Sequence, residues 1–150
     1  MIKIILLVLL FISASASSQV LSKQLVDSWG YETAHKTNYL DSYCIGSKEP
    51  VDSVYQSIRS KNTSVEIGDA YYRYTLGREV FATDADAERR VMAINNPKNR
   101  NSKQSKMCDI RKAFRDGSVV YFIHTDVGAF RSEMHRLYSM LIEAKQHPAD

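Results

Sequence analysis

Catalytic signatures are the first thing missing from this chain of 150 residues. No serine stands in a Gly-x-Ser-x-Gly elbow, no glycine-rich phosphate loop occurs, and there is no His-Glu-x-x-His pair. A short chain without a recognisable nucleophile, base and orienter reads as a binder sooner than as an enzyme. Cysteine is scarce as well. Cys44 and Cys108 are the only two, and neither has a second cysteine or a histidine within four residues, so no cysteine-based metal site is expected. Past residue 12 no stretch is apolar for long enough to span a bilayer, which takes about 20 residues. A strong charge of one sign is lacking too. Twenty Lys and Arg stand against 17 Asp and Glu, and without Lys3 the excess falls to two, too small to point to nucleic acid.

The N-terminus carries what the rest lacks. Lys3 precedes nine consecutive apolar residues, 4–12, followed by small ones. That is the layout of a secretory signal peptide, with cleavage expected after Ala16 and with Ala14 or Ser18 as alternatives. The apolar run is about half of a membrane span, and no cysteine follows it to accept a lipid anchor. The expectation is a soluble protein of the periplasm or exterior, with residues 1–16 as leader and 17–150 as one domain. Nucleic acid is disfavoured as a partner by the export signal, and no cofactor is expected. In an oxidising compartment an even pair of cysteines reads as a disulfide, Cys44 to Cys108. It would close a loop of about 65 residues and stabilise by about 3–5 kcal/mol in the chain-entropy model.

Hydrophobic spacing divides the mature chain in two. Val20, Leu21, Leu25, Val26 and Trp29, then Ala34, Tyr39, Leu40 and Tyr43, recur at helical intervals, as one long helix or two short ones. Pro50 opens a second series at Val51, Val54, Tyr55 and Ile58, which predicts a helix over about 50–61. A helical hairpin over about 19–61, with Cys44 at its bend, is the expectation. From Thr63 the period shortens: Val65, Ile67, Tyr72, Tyr74 and Leu76 predict a strand or short hairpin, with Gly68-Asp69 as a bulge or turn. Thr83 and Asp84 look like the start of a helix through Ile94 that ends at Asn95-Asn96-Pro97. Residues 95–106 carry Lys98, Arg100, Lys103 and Lys106 and no acid, as a solvated loop would. Ser105 is expected to cap a helix through Cys108, Ile110 and Phe114 that stops at Gly117. Residues 118–125, apolar on both faces, predict a central strand. A turn at Asp126 to Gly128, a short strand from Ala129 and a closing helix to about Gln146 follow. The fold class expected is α+β, an N-terminal helical hairpin packed on a small antiparallel sheet over about 63–146, with further helices and one disulfide.

The order of the C-terminal half, "DAYYRYTLG", a polar helical segment, "MCDIRKAFRDG" and "VVYFIHTDVG", resembles a group of small exported bacterial proteins. The shared features are the tyrosine-rich strand (Tyr72, Tyr74), Cys108 followed by Arg111, the Gly117 stop, Tyr121, and the Asp126 to Gly128 turn. Where the group tends to read Tyr-x-Tyr-x-Asp, this chain has Ile123 and His124. The resemblance covers about residues 67–130. It implies a small periplasmic α+β domain and carries no catalytic residue.

Of the four scattered histidines, His124 with Asp126, and Glu133 with His135, would converge if residues 118–136 formed a hairpin. Such a cluster could do acid/base work or help hold a metal. The competing reading makes Asp126 a turn residue and His124 an ordinary strand residue. Tyr71, Tyr72 and Tyr74 crowd Arg73, and tyrosine and arginine are the residues that anchor protein interfaces, although alternate tyrosines in a strand also serve the core. The basic residues Arg89, Arg90, Lys98, Arg100, Lys103 and Lys106 suit an ordinary solvated face, a dock for an acidic partner, or a contact for anionic lipid or polysaccharide. Asn62-Thr63-Ser64 matches a glycosylation sequon, of consequence only in a eukaryotic pathway. The leading expectation is therefore an exported binding or inhibitory protein, such as an immunity protein against a periplasm-delivered toxin or an inhibitor of a wall-degrading enzyme. Tyr71, Arg73 and the 95–106 loop are its expected contacts with a protein partner. An envelope or secretion accessory factor, and a small hydrolase or metal-dependent enzyme using His124, Asp126 and His135, are the alternatives.

Overall fold

The computed structural model describes residues 19–34, 48–96 and 110–148. The expected leader, His35, the Cys44–Cys108 bridge, and Lys98, Arg100, Lys103 and Lys106 lie outside these residues. In chain order the elements are α1 (Lys23–Ser28), β1 (Tyr31–Thr33), β2 (Asp52–Ser60), a 3-10 turn (Val65–Ile67), β3 (Arg73–Val80), α2 (Asp84–Asn95), β4 (Ile110–Asp116), β5 (Val119–Thr125), a second 3-10 turn (Gly128–Phe130) and α3 (Arg131–Gln146). The strands form one antiparallel sheet in the order β1-β2-β3-β5-β4. The class is thus α+β, and among the described residues no helix is long and apolar enough to cross a membrane.

Each face of the sheet has its own core. Leu76, Ile58, Ile123 and Phe114 meet Met134, Leu137 and Leu141 of α3 and Val26 of α1 on one side. Phe122, Val120 and Ala113 meet Ala87 and Ile94 of α2 on the other. This double cover explains why β5 is apolar at successive positions, as expected of an interior strand. Each fully buried Val, Leu, Ile, Phe or Met side chain among them contributes about 1.5–3 kcal/mol of transfer free energy. Gly77 of β3 is required by this packing: a Cβ there would fall 2.1 Å from the Phe122 ring.

Two expected helices are strands. The segment 50–61 is β2, paired to β3 with Ile58 opposite Tyr74. Its inward row runs Val54, Gln56, Ile58, Ser60, so a glutamine and a serine interrupt the apolar alternation and leave helical spacing as the visible pattern. Gln56 is tolerated there because its side chain is bonded at both ends. Its oxygen accepts from the Leu21 N–H at 2.9 Å, while its nitrogen donates to the Leu21 carbonyl at 3.2 Å and the Thr33 hydroxyl at 3.1 Å. The segment after Ser105 is likewise strand β4 where it is described, hairpinned to β5, and Gly117 (φ 56°) makes the hairpin turn instead of stopping a helix. Lys112 masked that strand, since it faces inward along its aliphatic stem and sets its ammonium 5.4 Å from the centre of the Tyr138 ring.

The first helix is shorter than expected, because α1 ends at Ser28 and Gly30 (φ 79°) turns the chain into β1. The strand expected from Ala129 is the 3-10 turn, and α3 begins at Arg131 with Met134, Leu137 and Leu141 buried at helical spacing. The strand expected from Thr63 starts only at Arg73. Helix α2 is as read, its Thr83 hydroxyl accepting from the Asp86 N–H at 3.1 Å.

Candidate interaction surface

Residues 61–72 connect β2 to β3 and form a closed loop. The Ser60 N–H donates to the Tyr72 carbonyl at 2.8 Å, and the Ser60 hydroxyl accepts from the Tyr72 N–H at 3.0 Å, which locks the base of the loop. Higher up, Ser64 bridges Ala70, its N–H donating to the Ala70 carbonyl at 2.9 Å, and the Asp69 N–H returns to the Ser64 carbonyl at 2.9 Å. Gly68 and Asp69 take left-handed φ values of 68° and 59°, which glycine and aspartate tolerate best. Ile67 points down onto the core, whereas Val65 stands 86 % exposed at the tip. A loop held this way loses little freedom when a partner covers it.

The adjoining end of the sheet is charged and aromatic. Glu32, Arg59 and Arg73 are cross-strand neighbours on β1, β2 and β3. The Arg59 guanidinium donates from Nε and Nη2 to Glu32 Oε1 and lies 5.1 Å from the centre of the Tyr71 ring. Arg73, directly opposite Arg59, is exposed and makes no ion pair among the described residues. Like charges set opposite each other destabilise a sheet slightly, so this pairing is not explained by folding. Tyr72 and Tyr74 do serve the core: the Tyr74 hydroxyl donates to the Phe130 carbonyl at 2.9 Å, and burial pushes that phenol well above its ordinary pKa. Tyr71, 42 % exposed, is the one of the three turned to solvent.

The other expected site residues scatter. Arg89 is exposed and bonds Asp86, whose buried carboxylate also faces Lys48 at 3.5 Å. Arg90, expected with Arg89 among the surface contacts, is not exposed. It is buried beneath α2, its guanidinium gripping Glu79 at 2.7 and 2.8 Å, while the Tyr55 hydroxyl donates to the same carboxylate at 2.9 Å. Burial, with the Glu79 charge beside it, pushes the Tyr55 phenol up to about 12. The histidine cluster does not assemble, because residues 131–146 are helical and cover the sheet face opposite to the one that His124 occupies beyond Phe122. His135 sits on α3 near Lys112 and Arg131; burial and those two cations hold it below the usual imidazole value. Glu133 turns away to Tyr31, whose hydroxyl donates to it at 2.9 Å, and to Arg136. Burial alone would raise the Glu133 carboxyl, but these two donors outweigh it and hold the group low. Among the described residues no three His, Cys, Asp or Glu side chains come together as metal ligands would.

Sequence reading missed Val65 and Arg59. Both lay in segments assigned to the wrong elements, and only the β2–β3 register brings Arg59 to Tyr71 and Arg73. The Tyr-Tyr-Arg-Tyr run was the one available signal. No family model, curated protein or solved structure matches the chain.

Proposed function

We infer that this is an exported protein that binds and occludes a protein partner in the periplasm. An immunity protein against a delivered toxin, or an inhibitor of a wall-degrading enzyme, is the form this takes. The observation that carries it is the closed loop presenting Val65, beside the Arg59–Tyr71 stack and the charge of Arg73, which has no ion pair among the described residues. An aliphatic tip suits an apolar subsite in the partner's cleft. The arginines suit carboxylates on its rim, and preorganisation lets such a small area bind firmly. The leader-like N-terminus supports export, and the two cysteines support an oxidising compartment with a Cys44–Cys108 bridge.

The test is affinity capture from periplasm by mature, oxidised protein, with a Y71A/R73A variant alongside and the captured pair then purified for titration. Losing both anchors should weaken binding by about 2–4 kcal/mol, or roughly thirty- to several-hundred-fold. Unchanged affinity in the double variant would reject this surface.

A further inference from the structure

A second site lies away from the loop, between α1 and the C-terminal end of α3. The two helices leave a groove of about 930 Å³ whose floor is Leu25, Trp29, Met140 and Ala144. That size falls within the roughly 300–1,000 Å³ of small-ligand sites. All four floor residues rest against the main core, so the groove is backed by packed structure. Its serine hydroxyls are already spent on their own helices. Ser22 accepts from the Leu25 N–H, Ser28 donates to the Leu25 carbonyl and Ser139 donates to the His135 carbonyl. The polar groups left to meet a ligand are the side chains of Gln24 and His147, the ring and N–H of Trp29, the only tryptophan in the chain, and the carboxylate of Glu143, which has no ion pair among the described residues. Among the described residues of the lining Glu143 is the only carboxylate, and no lysine or arginine stands with it.

We propose that this groove binds a small cationic amphiphile, an apolar chain lying along Leu25, Met140 and Ala144 with an ammonium head between the Trp29 ring and Glu143. Indole is the best aromatic partner for an ammonium group, and one carboxylate with no lysine or arginine in the described lining sets the sign of the ligand. An anionic chain of the same length would meet the same floor and the wrong charge.

Because Trp29 is the only indole, its emission reports occupancy directly. The oxidised full-length mature protein is titrated with decyltrimethylammonium below its micelle concentration, with decanoate and tetramethylammonium as comparators. The expected result is a saturable change in Trp29 emission for decyltrimethylammonium, about tenfold weaker binding of decanoate, and little response to tetramethylammonium. E143Q should fold normally, since Glu143 is exposed, and should shrink the cation preference to within about twofold; A144F should block both chains. No saturable change, equal binding of decanoate, or an undiminished preference in E143Q would each overturn the proposal. None of these readouts depends on whether a protein partner binds the 61–72 loop.

Discussion

The buried contact of Arg90 with Glu79 lends itself to a decisive perturbation. Both side chains are almost fully out of solvent, at 5 % and 1 % exposure, and they share two short hydrogen bonds. In R90M the Glu79 carboxylate keeps the Tyr55 hydroxyl and loses both guanidinium bonds. Breaking a buried pair from one side costs about 3–5 kcal/mol, because a charge is left uncompensated. Small domains hold only about 5–15 kcal/mol in total, so R90M should lower the unfolding midpoint by about 10 °C or more. Replacing both partners by apolar residues removes the stranded charge, and E79L/R90M should return to within about 1–2 kcal/mol of the parent. The assay is thermal and urea unfolding followed by far-ultraviolet circular dichroism and Trp29 emission, run as a double-mutant cycle. If R90M costs under 1 kcal/mol, or if the double variant costs the sum of the two single ones, the pair does not hold α2 to the sheet as described.

Two further outcomes follow from the packing and the charges. G77A should destabilise by about 3 kcal/mol, since its Cβ would overlap the fully buried Phe122 ring; a change under 0.5 kcal/mol in the same unfolding assay would contradict the β3–β5 packing. Glu133 is held below its ordinary pKa in the folded chain, so its stabilising effect is complete above the unfolded carboxylate value of about 4.3 and is lost as pH falls through the folded value. E133Q should therefore cost about 1–3 kcal/mol at pH 7 and progressively less as pH falls below about 4.3, and a gap that stays constant down to the acid transition would refute the assignment.

Elements whose local and tertiary preferences agree were legible before folding was considered. Thr83 caps α2, residues 118–125 form an interior strand, and Met134, Leu137 and Leu141 carry α3. Of the candidate surface, only Tyr71 and Arg73 could be named, and Arg73 gained meaning from a neighbour 14 positions away. The misread segments share one cause. Gln56, Ser60 and Lys112 occupy inward positions of β2 and β4, and each breaks the alternation by which a strand is recognised. Their polar groups are satisfied by distant atoms: Leu21 and Thr33 for Gln56, the Tyr72 backbone for Ser60, the Tyr138 ring for Lys112.

By itself, then, the sequence determined the α+β class, the interior position of β5, the caps and stops of α2, and the exposed chemistry of Tyr71 and Arg73, because each depends on residues close in the chain. The tertiary structure alone decided that 52–60 and 110–116 are strands, that Arg90 is buried against Glu79, and that His124 and Glu133 face opposite sides of the sheet. Hydrogen bonds and charge partners across 11 to 35 positions override local spacing there, and no pattern within a window of a few turns contains them.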